Sequence, residues 1–312
     1  MSKRETLAAA AAIDAAPPTA ASGLVRAYYE LTKPGISQMV AMTTLAGYYL
    51  AIPGDLVSYA QSGNNWIHFV TTMIGTLAIS SGSCVANHVM EADIDARMRR
   101  TASRPIPSGL ISIRAAVVFA SILTVLGVAL LSMVNVLTLV LAVATWITYV
   151  MVYTPMKTRS TLAVVVGGVP GALPFAGGWT AVTGTMDPMA WVLFGILFMW
   201  QLPHFYALSW MYRADYREAG FALRAVRDSN PSMLSWQIIG TSILTTILAL
   251  FPTYLEATGW LYAIGALVLG GWLVVEGVRF RRDATTQSAR RVLLTSYAVL
   301  MGVMILMFLD KR

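Results

Sequence analysis

Charge is scarce in this chain. Only 12% of its 312 residues are Asp, Glu, Lys or Arg, and 57% are hydrophobic, whereas an ordinary soluble domain carries about 25% charged residues. That shortage excludes a soluble globular class and points to a polytopic membrane protein. Cysteine is nearly absent. Cys84 stands alone, which excludes an internal disulfide and a cysteine-built metal centre; it reads as a small buried residue in an apolar helix. Residues 1–25 lack the strongly hydrophobic core of a signal peptide and are rich in Ala, Pro, Ser and Thr. They are predicted to form a disordered cytoplasmic tail, followed by one membrane domain over 26–312.

About 20 apolar residues suffice to cross a bilayer as a helix. Nine such stretches occur, near 36–53, 66–89, 112–133, 136–153, 162–183, 188–210, 234–254, 258–278 and 292–309. No long soluble insertion separates them, so the expected fold is an all-α membrane protein with nine transmembrane helices. The cations test this layout. All but Lys311 and Arg312 fall in the amino-terminal tail and first-helix entry or in the loops after the second, fourth, sixth and eighth stretches, with Arg114 at the edge of the third stretch, and the intervening loops hold none. This is the positive-inside pattern. It places the amino terminus and the basic loops in the cytoplasm, and it accounts for the net charge of +7 without a nucleic-acid partner.

The second stretch runs into NHVMEADIDARMRRTASRPIPSG, residues 87–109. Glu91, Asp93 and Asp95 lie within five residues, followed by Arg97, Arg99, Arg100 and Arg104. Acids beside a membrane are costly without a partner. Oxygen ligands suit a hard cation such as Mg²⁺, and arginines suit phosphate. Asn87, Glu91 and Asp95, spaced i, i+4, i+8, share one helical face, with Asp93 pointing elsewhere. A solvated helix end is the plain alternative, with Arg99 paired to Glu91 or Asp95.

A second patch, PHFYALSWMYRADYREAG at 203–220, offers His204, Arg213, Asp215 and Glu218 on the same face. His204 is ionisable and within an apolar stretch, so it is a candidate functional group; a hydrogen-bonded core histidine is the alternative. His68 reads as structural, and His88 as turned away from the site. Trp200, Phe205, Tyr206, Tyr149 and Tyr153 could present aromatic faces to a carbocation, while Trp210 and Tyr212 read as interface residues. In GGVPGALPFAGGW at 167–179, glycine and proline permit a kink and close helix contact. The kink could serve a lipid-chain groove or tight packing.

Taken together, these residues resemble the intramembrane prenyltransferase superfamily and, within it, the protoheme IX farnesyltransferase (heme O synthase) family. LTKPG at 31–35, the Asn87–Gly109 run, Tyr153-Thr154-Pro155 with Lys157, and GALP with GW and AVTG at 171–184 follow that family's motifs. So does Pro203-His204-Phe205 with Asp215-Tyr216 eleven residues after the histidine. Four features depart from the pattern: Glu91 in place of Asp, Thr158 and Ala163 in place of Arg and Asn, Phe175 in a Pro-Pro pair, and FALRAV at 221–226 in place of a Pro-x-Leu-Pro run, which sets Arg224 over the site.

The resemblance implies a UbiA-type fold with a central cavity, and a farnesyl group moved from farnesyl diphosphate to a vinyl of protoheme IX. It implies Mg²⁺ held by Asn87, Glu91, Asp95 and Asp215, with His204 as a further catalytic candidate that positions the porphyrin or water or ligates the iron. Lys33, Arg97, Arg104, Tyr153, Lys157, Phe205 and Tyr216 are the implied substrate contacts. Heme is a substrate here, the bilayer is a partner, and the setting is the plasma (inner) membrane. A heme A synthase or a terminal oxidase would take the product onward. Two other classes fit less of the pattern. One is a sister enzyme acting on a quinone precursor or another aromatic acceptor, which FALRAV keeps open. The other is a transporter, against which the acids cluster at one face instead of the midplane.

Overall fold

The computed structural model describes residues 20–228 and 230–312. Residues 1–19 of the expected tail lie outside them. The helix Ala20–Leu31 begins inside the segment expected to be disordered, so regular structure starts earlier than the composition suggested. Its buried residues, Ala27 and Leu31, seat it against Val85, Ile106 and Ala116, which gives this short helix an apolar surface to fold on.

Among the described residues nine long helices follow: α1 (Pro34–Ala51), α2 (Gly63–Met90), α3 (Ile113–Ser132), α4 (Val136–Met156), α5 (Ala163–Thr183), α6 (Pro188–Met211), α7 (Ser232–Tyr254), α8 (Trp260–Asp283) and α9 (Thr286–Leu309). Eight of them, α2 to α9, are long and apolar enough to cross a membrane; α1, the shortest with 18 residues, is not among the eight. The protein is an all-helical integral membrane protein, and no named strand occurs among the described residues.

The ends follow local chemistry. Ser112 and Asn135 accept backbone N–H groups as N-caps of α3 and α4, at 3.2 and 2.8 Å. Asp187 caps α6 through Met189 and Ala190, and Thr285 with Ser288 forms a capping box for α9. Each cap satisfies an N–H that has no partner within the first turn. α8 and α9 are longer than the hydropathy pattern predicted, meeting at Asp283–Thr286 instead of across a wide basic loop. Their cations Arg281, Arg282, Arg290 and Arg291 sit on exposed helical faces, so charge there marks the bilayer edge and not the helix end.

Around the bundle α2 packs along α3, α1 and α6 flank α5, and α6 in turn meets α7 and α9; α8 lies between α7 and α9. The α1–α5 crossing is close. A Cβ at Gly47 would overlap the carbonyl oxygen of Phe175, and one at Gly178 that of Thr44. Small residues let membrane helices approach to backbone contact, where dispersion replaces the hydrophobic drive that lipid does not supply. On the far face from the basic loops, Lys311 donates to the carbonyls of Tyr49 and Ile52 at 2.8 and 2.7 Å. A cation suits a helix C-terminus, which explains one of the two cations that break the loop alternation.

Candidate active site

Two chain reversals build the site. Lys33, in LTKPG, caps α1 with φ 49° and ψ 65°, a left-handed conformation that costs a non-glycine residue about 1–3 kcal/mol. This bend aims its ammonium inward, where it donates to Asn87 Oδ1 and lies 3.5 Å from the Tyr149 hydroxyl. At the other reversal α2 stops at Met90, and Glu91 leads into a short turn of helix, Ala92–Asp95. The backbone bonds Glu91 N to Asn87 O (3.0 Å) and Asp95 N to Glu91 O (2.7 Å) persist through the break. Asn87, Glu91 and Asp95 therefore stay on one face and are 0%, 5% and 1% exposed. Asp93 is exposed.

The buried acids are paired, though not with the expected neighbour Arg99. Lys157 Nζ meets Glu91 Oε1 at 2.7 Å, and Arg104 Nη1 meets Asp95 Oδ2 at 2.7 Å. Asn87 Nδ2 donates to Thr154 Oγ1 at 2.9 Å. Burial disfavours the Asp95 carboxylate, but His88 and Arg104 outweigh it and hold its pKa below the usual range. Burial likewise works against the Lys157 ammonium, and Tyr153 and Glu91 reverse it and raise its pKa. Lys33 lacks a full carboxylate partner, so desolvation prevails and its pKa falls to about 8. His88 is a correction to its sequence reading. It is buried, with Nδ1 3.7 Å from Asp95 Oδ2, and so faces the site.

Among the described residues no three His, Cys, Asp or Glu side chains converge as a ready-made metal cluster. The donor set nevertheless fits Mg²⁺, which is commonly held by one or two carboxylates with phosphate oxygens completing its shell. Asp95 Oδ1 is buried with no hydrogen-bond partner, an acceptor that a cation would satisfy.

Beneath this cluster lies a cavity of about 680 Å³. Lys33, Lys157, Tyr149 and Tyr153 line its mouth, and Thr138, Pro174 and Gly177 lie deep within the bundle. A π-helical turn at Thr148–Tyr153 accompanies the mouth, a distortion that recurs at functional sites. It stacks Tyr149 on Tyr153 with centroids 5.6 Å apart, and Lys157 sits 4.6 Å over the Tyr153 ring. His204 and Phe205 line the same cavity from α6. His204 Nδ1 is 2.9 Å from Ser296 Oγ, the Tyr297 ring packs near-perpendicular to the imidazole with centroids 4.7 Å apart, and Trp200 donates to Ser296 O. Ser296 was not singled out from sequence, because serine in an apolar helix carries no local signal; Tyr149 was read as an aromatic face, and its approach to Lys33 was not.

Not every candidate joins the cluster. Arg97 is exposed and Asp215 half-buried, and neither makes an ion pair among the described residues. Tyr216 packs edge-on against Phe221 at 5.2 Å. Burial raises its phenol pKa while the charges of Arg100 and Lys157 oppose the rise, which puts Tyr216 within electrostatic reach of the mouth. Phe221, Ala222 and Leu223 are buried, and Ala222 N donates to Lys157 O at 2.8 Å. FALRAV thus lies against the site, with Arg224 bound to Asp228 at 3.1 Å. Trp210, read as an interface residue, is instead buried and donates to Ala284 O at 2.9 Å, which fastens α6 to the α8–α9 corner.

Known proteins are similar to this chain in sequence and in fold. The profile of the UbiA prenyltransferase family matches residues 40–305. A protoheme IX farnesyltransferase of Solibacter usitatus is 38% identical over 92% of this chain and 99% of its own length. That of Salinibacter ruber is 38% identical over 91% and 98%. Among solved structures, a digeranylgeranylglyceryl phosphate synthase superposes with a TM-score of 0.74 at 16% identity, over 92% of this chain and 98% of that one. A UbiA homolog from Archaeoglobus fulgidus bound to GPP and Mg²⁺ superposes at 0.62 and 15%, over 90% and 99%. The chain is a member of the UbiA prenyltransferase family, on the branch of the protoheme IX farnesyltransferases.

Proposed function

We propose that this chain transfers a farnesyl group from farnesyl diphosphate to a vinyl group of protoheme IX, giving heme O. The observation that carries the reading is the joining of two environments: a deep, mainly apolar cavity whose mouth holds Lys33 and Lys157 beside buried Glu91 and Asp95. An isoprenoid diphosphate has the same division. Its chain belongs in the cavity and its charged head at the mouth.

Lys33, Lys157 and Arg104 bind the diphosphate as it takes up negative charge. Glu91 and Asp95 hold Lys157 and Arg104 in place, and with Asn87 they supply oxygen ligands to Mg²⁺, with Asp215 brought in from the second patch. Mg²⁺ bound there supplies the positive charge that stabilises the leaving group. The allylic C–O bond breaks, and diphosphate departs with the electron pair. A vinyl carbon of heme forms the new C–C bond, and water adds to the resulting porphyrin-side cation with loss of a proton, giving the hydroxyethylfarnesyl group. Tyr149 and Tyr153 offer aromatic faces to the allylic cation, and the surrounding apolar wall excludes water until the bond has formed. His204, held by Ser296, orients the porphyrin. Arg97 contributes to the attractive field at the rim, and Phe205 and Tyr216 shape the acceptor side.

The basic face lies in the cytoplasm, the bilayer is the plasma (inner) membrane, and the product passes to a heme A synthase or to terminal oxidase assembly. The test is direct. Purified protein is incubated with protoheme IX, farnesyl diphosphate and Mg²⁺, and the hemes are read by mass spectrometry. A gain of one farnesyl plus water, abolished by EDTA, is expected. Absence of product from protein that binds farnesyl diphosphate turns the search to aromatic acceptors such as quinone precursors, the reading that FALRAV keeps open.

A further inference from the structure

Gly177 and Gly178 are adjacent in α5 and face opposite demands. At Gly178 a Cβ would overlap the Thr44 carbonyl, so packing against α1 requires glycine. At Gly177 a Cβ meets no atom within 4 Å, and the residue lines the cavity. Packing therefore does not explain why position 177 lacks a side chain. Its location does. Gly167, Pro170, Gly171, Pro174 and Gly177 form a stripe at helical spacing along one cavity wall, with Gly167 level with Tyr153, whose ring a Cβ there would strike. Gly177 is the stripe's inner end. The facing wall of α4, from Tyr153 at the mouth to Thr138, spans about 22 Å of helix. Gly177 sits beside that far end: its carbonyl accepts from Thr180 Oγ1, which lies 3.2 Å from Thr138 Oγ1.

We infer that Gly177 sets the length of isoprenoid chain the cavity accepts, its missing side chain leaving room for the end of the chain most distant from the diphosphate. The inference rests on the proposed function for the orientation of the donor. Any side chain at 177 projects into the cavity floor and shortens it without touching the mouth. The residue acts on donor specificity and makes no contact with reacting atoms.

The experiment compares the full chain with Gly177→Leu and Gly177→Ala, and with Gly271→Leu as a control, since Gly271 is exposed on α8 and a Cβ there also meets nothing within 4 Å. Geranyl, farnesyl and geranylgeranyl diphosphates are tested in turnover with protoheme IX. Their non-reacting thiolodiphosphate analogues are tested in equilibrium binding. Gly177→Leu is expected to lower the farnesyl-to-geranyl ratio at least about tenfold in both assays, with Gly177→Ala shifting it less in the same direction and Gly271→Leu not at all. An unchanged ratio in folded Gly177→Leu overturns the inference, as does equal loss of all three donors. If leucine prevents folding, the alanine variant decides by the same ratio. If the parent protein makes no prenylated heme but the binding ratio shifts, the acceptor reading fails and the inference stands.

Discussion

Asp95 concentrates the chemistry of the site in one side chain. One oxygen is held by Arg104 at 2.7 Å, and the other is buried without a partner. Asp95→Asn preserves shape and removes the charge. Heme farnesylation is expected to fall at least about a hundredfold while the folded protein persists, as measured by kcat in detergent and by thermal melting. Unchanged turnover would remove Asp95 from the metal site. Glu91 and Lys157 make a separable prediction, because each balances the other in a buried pair with side chains 6% and 14% exposed. Lys157→Met alone leaves Glu91 uncompensated and is expected to destabilise by about 3–5 kcal/mol. Adding Glu91→Gln should restore much of the melting temperature without restoring turnover. If the double variant regains activity, the pair is structural. Much of this cluster was legible in the sequence, since Asn87, Glu91 and Asp95 recur at helical spacing. The partners were not. Lys33 and Lys157 lie 54 and 66 residues from the groups they bind, and helical spacing suggested Arg99 instead.

Helix packing decides how wide the cavity is. The α1–α5 crossing is held at backbone contact by Gly47 and Gly178, whose neighbours are carbonyl groups that cannot rotate aside. Gly178→Val must push the two helices apart. An overpacking loss of about 1–3 kcal/mol is expected, seen as a lower melting temperature in detergent, with activity reduced for every donor alike. A Gly178 variant that melts like the parent protein would show that this crossing is not tight. The π-helical turn at Thr148–Tyr153 acts at the other end of the same cavity, where it stacks Tyr149 on Tyr153 beside Lys33 and Lys157. Kink-forming residues in GGVPGALPFAGGW were visible in the sequence. The division of labour between its two adjacent glycines was not, because it depends on what stands opposite each one.

Across the whole molecule, charge separates the two faces. The basic loops border the mouth of the cavity, and the opposite face carries His68 bound to Tyr48 at 2.8 Å and Lys311 capping α1. The orientation is testable because Cys84 is buried and gives no background. Ser62→Cys and Arg282→Cys place single exposed thiols on opposite faces. With a membrane-impermeant maleimide, Ser62→Cys is expected to label in intact cells and Arg282→Cys only after permeabilisation. The reverse pattern would invert the assignment of faces.

Hydropathy and charge act locally, over one helix or one loop. That is why the membrane class, the nine-helix layout and the acidic motif were all readable along the chain. Helix ends were less so, as α8 and α9 carry charge within their helical turns. The cavity, the inward turn of His88, the burial of Trp210 and the bond between Ala222 and Lys157 depend on which remote elements meet. Each is set by packing and desolvation among several helices at once, and a linear pattern of residues does not encode that geometry. The same holds for donor length: glycine at 177 looks like glycine at 178 until the helices are assembled, and only then does one face a carbonyl and the other an open cavity.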